Sequence, residues 1–270
     1  MILNEGVPLP KPMSYTHAES LAGKAVIVTG SGRGIGRGIA RSLARNGARL
    51  LLTDILADAV ADARDELTWQ GADVHSIAAD LRDPDAADNI VGAALEHFGH
   101  VDGLVNNAMA IKPPSPFASQ TAGDFDLASD TGPRATFLLM KAAHPHLVAA
   151  GGGSIVNFGS GAGSAGEVGF ATYGAAKESI RGLSRVAALE WGADNIRVNV
   201  VLPFAKTEGV ESWEQNDPTT FRAAVDAVPL KRIGDTEKDV GALVSFLLGD
   251  DSTYLTAQSI YVAGGSGVFR

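Results

Sequence analysis

Residues 29–36 read Thr-Gly-Ser-Gly-Arg-Gly-Ile-Gly, preceded by the apolar run Ala25-Val26-Ile27-Val28 and followed by Ile39, Ala40, Leu43 and Ala44. An apolar run, a glycine-dense turn and apolar residues at three- to four-residue spacing read as strand, tight turn, helix. Gly30 supplies the backbone angles of a sharp reversal, Gly34 removes a side chain where a diphosphate approaches, and Gly36 lets helix and strand pack closely. The free amides and positive dipole end of the helix then face an anion.

Glycine-rich turns also serve ordinary loops, so position decides. A second apolar run, Arg49-Leu50-Leu51-Leu52-Thr53, ends in Asp54. An acidic residue about 20 positions beyond the turn is where a ribose-binding carboxylate belongs. Together they predict a dinucleotide site formed by Gly30, Arg33, Gly34, Ile35, Gly36 and Asp54.

The alternation continues along the chain. A helix is expected near 58–69 and a strand over 73–79, ending at Asp80. Asp83 caps a helix running to about Phe98, with Pro84 at its first position. A strand over 101–105 then runs into Asn106-Asn107-Ala108-Met109, and the prolines at 113, 114 and 116 impose a loop. A helix over 125–150 should be kinked or divided by Gly132-Pro133, because proline lacks a backbone donor and clashes with the preceding turn. Strands at 154–158, 196–202 and 259–262 alternate with helices at 170–191 and 237–248. About seven strands interleaved with helices predict an α/β fold, a single-domain, Rossmann-like, doubly wound parallel sheet covered on both faces. This domain takes residues 21–270, and residues 1–20, which carry three prolines, form an N-terminal arm. The long polar connection after Pro203 holds one expected helix, near 219–228, and predicts a substrate lid over about 204–233.

Composition narrows the function. A formal net charge of −9 with scattered Lys and Arg argues against nucleic acid or an anionic membrane surface as partner. Cysteine is absent, which removes disulfides and thiolate chemistry. No apolar run is long enough to span a bilayer, and the N-terminus lacks the basic start and apolar core of a signal peptide. The expectation is a soluble, cytoplasmic protein. No metal site is expected: His144 and His146 are two apart on a helix and point to different faces.

Tyr173 and Lys177, four apart, share one face of the helix at 170–191. Ser160 lies just past a strand end, the edge where ligands of open α/β sheets bind. TGSGRGIG, Asp54, Asn106-Asn107-Ala108, Ser160, the Tyr-Gly-Ala-Ala-Lys of 173–177 and Pro203 after a strand together resemble the short-chain dehydrogenase/reductase family over about residues 21–265. The resemblance implies a nicotinamide cofactor and a small-molecule alcohol or ketone substrate. Tyr173 would be the acid/base, Lys177 would hold the nicotinamide ribose, and Ser160 the substrate oxygen. Asp80 and Leu81 would flank the adenine, with Asn107, Ala108, Pro203 and Thr207 also on the cofactor. It further implies that the helices at 125–150 and 170–191 pair between subunits in a homodimer or homotetramer.

The chemistry is consistent with those roles. A phenol acting as base near neutrality needs its pKa lowered by roughly three units, about 4 kcal/mol. One ammonium at about 4 Å supplies about 4 kcal/mol at a surface-like dielectric. For the cofactor, Asp54 accepts both ribose hydroxyls of NAD and repels the 2′-phosphate of NADP, while Arg33 favours it. The carboxylate is anchored at a strand end and Arg33 is free to turn to solvent, so NAD(H) is expected.

Three positions depart from the family pattern. Met109 stands where Gly follows Asn-Asn-Ala, Gly132 stands where an Asn completes a proton relay behind the Lys, and Phe204 stands where Gly follows Pro203, with Thr207 one position short of the usual threonine. Either water reaches Lys177 through the space at Gly132, or turnover is slowed, or the chain binds cofactor without efficient catalysis. Met109, Phe170, Phe204 and Trp213 suggest an apolar or aromatic substrate. The alternatives to an NAD(H)-dependent secondary-alcohol oxidoreductase are a cofactor binder with degraded catalysis and an NADPH-dependent 3-oxoacyl reductase, whose basic docking surface the acidic balance does not favour.

Overall fold

The computed structural model describes residues 20–266. Apart from Ser20, the expected N-terminal arm lies outside the described residues. Seven strands form one sheet: β1 (Ala25–Thr29), β2 (Arg49–Asp54), β3 (Val74–Ala78), β4 (Gly103–Asn106), β5 (Gly153–Phe158), β6 (Ile196–Pro203) and β7 (Ser259–Val262). Their order is β3-β2-β1-β4-β5-β6-β7, with every pairing parallel. The helices are α1 (Gly34–Arg45), α2 (Ala57–Trp69), α3 (Ala86–Phe98), α4 (Ala122–Ser129) and α5 (Ala135–Ala149). After β5 come α6 (Gly161–Ala165), α7 (Ala171–Glu190), α8 (Glu208–Asn216), α9 (Pro218–Ala227) and α10 (Ala242–Leu248).

Alternation along the strands divides the core. Val26, Val28, Leu50 and Leu52 pack with Ile39 and Leu43 of α1, Val60 of α2 and Val244 of α10. Ala25, Ile27 and Leu51 face the other way, onto Ile90 of α3, Leu139 and Leu147 of α5, and Ala188 of α7. Successive strand residues point to opposite faces, so near-continuous apolar runs are what a sheet buried on both sides requires. The chain builds outward from β1 to β3 and then in the other direction from β4. β1 and β4 are thus neighbours whose following segments diverge, and a crevice opens beyond their C-terminal ends.

Several expected boundaries are corrected. Asp83 does not cap α3; its carboxylate accepts the Asp85 N–H at 3.0 Å, closing a turn around Pro84, and the helix starts at Ala86. α4 begins three residues before Phe125, because Thr121 and Asp124 cap each other's backbone amides at 2.8 and 3.2 Å. The expected kink at Gly132-Pro133 is a π-helical turn, Asp130–Arg134, joining α4 to α5. One widened turn accommodates a residue with no N–H without ending the helix. The connection after Pro203 holds two helices: α8, capped by the Thr207 hydroxyl, and α9, capped by Asp217 with Pro218 at its first position.

Candidate active site

The glycine turn sits at the crevice and is fastened from below. Gly30 and Gly34 have φ of +62° and +54°, which side chains disfavour. A β-carbon on Gly36 would stand 2.0 Å from the Gly30 carbonyl oxygen, and one on Gly30 would lie 2.9 Å from Ala108 Cα. Thr29 Oγ1 accepts the N–H groups of Asn107 and Ala108, each at 3.1 Å, and donates to Val105 O at 3.3 Å. Asn107 Nδ2 donates to Thr29 O and Gly30 O, both at 3.0 Å. The bracing role of Thr29 was not inferred from sequence, although the residue opens the quoted motif. A turn held this tightly, with no room for side chains and a helix N-terminus directed outward, fits a diphosphate.

Asp54 Oδ2 accepts the Gly32 N–H at 3.0 Å and Oδ1 the Leu56 N–H at 3.1 Å, so the carboxylate is fixed against the turn. Arg33 is exposed, Ile35 half-buried. Asp80, one residue before half-buried Leu81, is paired with Arg82, whose guanidinium holds its carboxyl below the usual range.

The β5 end delivers Ser160, whose Oγ accepts the Ala162 N–H at 3.2 Å as the cap of α6. α7 presents Tyr173 and Lys177 one turn apart. Lys177 is 5% exposed and its Nζ donates to the Phe158 carbonyl at 2.8 Å. Burial lowers its pKa to about 8. Burial pushes the Tyr173 phenol up; a hydrogen bond with Ser160 opposes the rise and the charge of Glu167 adds to it. Lys177 Nζ lies 5.6 Å from the Tyr173 ring centre while donating to Phe158 O. Burial is the largest influence on the phenol and raises it above its ordinary value, which favours the neutral acid.

Gly132 and Met109, two departures from the family pattern, touch each other. A β-carbon on Gly132 would lie 3.3 Å from Met109 Cε and Sδ and 3.6 Å from Cγ. The thioether lies against the place a Gly132 side chain would take, the space through which one of the three alternatives lets water reach Lys177. Thr131 Oγ1 fixes this arrangement by accepting the Ala110 N–H at 2.9 Å and donating to Leu127 O at 2.7 Å. Gly132→Asn alone must push Met109 aside, whereas Met109→Gly with Gly132→Asn has room. A double-mutant cycle on melting free energy and on kcat should give a favourable coupling of about 1 kcal/mol; strict additivity would show that the two side chains act independently.

A cavity of about 1110 Å³ opens at Ser160, walled by Pro203, Phe204, Trp213, Glu178 and Tyr261. Phe170 lies instead beside Tyr173, their rings 5.8 Å apart, on a small crevice with Gln120. The four residues expected at substrate thus fall in three places: Phe204 and Trp213 on the large cavity, Phe170 at Tyr173, and Met109 on Gly132. Thr207 has its hydroxyl engaged in capping α8, 3.3 Å from the Val210 N–H. Among the described residues no group of three His, Cys, Asp or Glu side chains is arranged to hold a metal, and no helix is long and apolar enough to cross a membrane.

Residues 30–267 match a family model described as enoyl-(acyl carrier protein) reductase. A 12alpha-hydroxysteroid dehydrogenase from a Clostridium species is 41% identical over 76% of this chain and 81% of its own length. Levodione reductase from Leifsonia aquatica is 35% identical over 72% of this chain and 74% of its own. A crystal structure of levodione reductase superposes with a TM-score of 0.86 at 32% identity, covering 92% of this chain and 98% of that one.

Proposed function

This chain belongs to the short-chain dehydrogenase/reductase family, and from that premise we propose that it interconverts a bulky, apolar secondary alcohol and its ketone with NAD(H). Membership makes it an oxidoreductase of CH–OH and C=O groups that uses NAD(P). The observation that carries the finer reading is a half-buried Tyr173 beside Ser160, with buried Lys177 one turn away and a large cavity opening at Ser160.

Gly30, Gly34 and Gly36 would cradle the diphosphate, Asp54 the adenosine ribose, and Lys177 the nicotinamide ribose. The nicotinamide, when bound, supplies the hydride chemistry. Ser160 donates its hydroxyl hydrogen to the substrate oxygen, a preorganised dipole where negative charge develops. Tyr173 Oη moves the proton: as the neutral phenol favoured by burial it protonates the forming alkoxide, which suits ketone reduction near neutral pH. The cavity exceeds what a short-chain alcohol needs and is comparable with sites that enclose drug-sized ligands. Two relatives named for a hydroxysteroid and for levodione support a cyclic substrate.

NAD rather than NADP rests on Asp54, whose carboxylate is held by the Gly32 and Leu56 amides and would repel a 2′-phosphate brought beside it. Calorimetric titration should show tighter binding of NAD. Asp54→Asn, which keeps an acceptor for the Gly32 amide, should narrow the preference by about tenfold or more; tighter binding of NADP by the unaltered protein would overturn the assignment. Residues 204–233, with α8 and α9, act as the substrate lid. Exposed Phe137, Val186 and Leu189 on α5 and α7 support pairing of these helices in a homo-oligomer, and the acidic composition suits a cytoplasmic protein. Degraded catalysis, the second reading, draws on Met109 filling the space at Gly132.

A further inference from the structure

α1 begins without a cap of its own: Arg33 at the cap position offers no side-chain acceptor, and the first turn has no acidic residue. Its Gly34 N–H donates instead to Glu208 Oε1, 174 residues away in sequence, at 3.1 Å. The second carboxylate oxygen, Oε2, stands 3.1 Å from where a Gly34 β-carbon would be, with the Thr207 methyl at 3.8 Å. Glu208 is the first residue of α8, within the lid. Its neighbours on that helix, Glu211 and Glu214, lie 4.0 and 3.5 Å from Lys206 Nζ. Glu208 has no cationic side chain as partner among the described residues. It faces the positive end of α1, an amide that would otherwise meet an anion of the ligand.

We propose that Glu208 is a displaceable stand-in for the cofactor's diphosphate: it latches α8 onto the glycine turn, and the dinucleotide must expel it to bind. The inference rests on the dinucleotide reading of the turn. A carboxylate and a diphosphate cannot share one amide at contact distance, because both carry negative charge and the amide has one hydrogen. Cofactor affinity is therefore reduced by the fraction of molecules in which the latch is closed, and cofactor entry is coupled to release of the lid. The lid carries its own reporter: the Trp213 indole N–H donates to Thr220 Oγ1 at 3.0 Å and its ring stands edge-on to Phe221 at 5.4 Å.

The test uses the full chain, calorimetry with ADP and with adenosine, and Trp213 fluorescence, with Trp213→Phe to identify the signal. Glu208→Gln keeps the size of the side chain and removes the charge. It should bind ADP about three- to tenfold more tightly, with adenosine affinity unchanged, and show before ADP is added the Trp213 emission that the unaltered protein reaches only with ADP. Glu211→Gln, on the same helix but facing Lys206, should leave ADP affinity as it was. Unchanged or weaker ADP binding by Glu208→Gln would overturn the latch while leaving the dinucleotide site standing. Failure of both the unaltered protein and the variant to bind ADP or NAD would remove the reading beneath it, and the latch with it.

Discussion

Replacing Tyr173 with Phe should lower turnover by about a hundred- to ten-thousand-fold, the range contributed by a positioned proton donor, while NAD(H) affinity stays within a factor of about three. The substitution removes one oxygen and leaves the ring in place against Phe170, so folding and cofactor binding have no reason to change. What is lost is a half-buried hydroxyl that stands beside Ser160 with a buried lysine one turn away. Steady-state rates with a cyclic secondary alcohol, beside calorimetry with NAD, separate the chemical step from binding. Full activity in the variant would assign proton transfer to another group.

Gly36→Ala should abolish useful dinucleotide binding. An added methyl carbon would sit 2.0 Å from Gly30 O and 2.7 Å from Asn107 Nδ2. Neither neighbour can yield, since Gly30 is backbone and the Asn107 amide is itself tied to the Thr29 and Gly30 carbonyls. The turn must open, which should cost about 1–3 kcal/mol of stability and weaken NAD binding by tenfold at the least, about 1.4 kcal/mol. Gly92 within α3 is the control: a β-carbon there meets nothing within 4 Å, so Gly92→Ala should bind NAD normally and be about 0.5–1 kcal/mol more stable. Retained NAD affinity in Gly36→Ala would contradict the packing role given to this glycine.

The parts of the fold readable in sequence are those where a local pattern and its physical cause lie within a few residues. The apolar runs at 25–29 and 49–54 can be buried on two faces only in a covered parallel sheet, and TGSGRGIG needs only its own neighbours to be understood. The grouping of Ser160, Tyr173 and Lys177 was legible through spacing and family resemblance. Features made by chain segments meeting from afar were not. Glu208 on the Gly34 amide joins positions 174 residues apart, and Met109 filling the space at Gly132 depends on how the loop after β4 lies against the π turn. α8 was missed because Thr207, Glu208 and the acidic residues after it read as polar connection, although a capping threonine followed by Val210 and Trp213 at helical spacing was a usable signal. The upward push on the Tyr173 phenol was also hidden, because burial rather than residue spacing is its largest cause.

NAD(H)-dependent conversion of a bulky secondary alcohol through Tyr173 is the activity proposed. Its most direct test is the absorbance of reduced nicotinamide when the unaltered protein and Tyr173→Phe are each mixed with NAD and a hydroxysteroid, with a short-chain secondary alcohol as the comparison. NADH formation by the unaltered protein should be faster with the hydroxysteroid and nearly lost in the variant. No NADH from any secondary alcohol, no consumption of NADH with the matching ketones, or equal rates in the two proteins would contradict it.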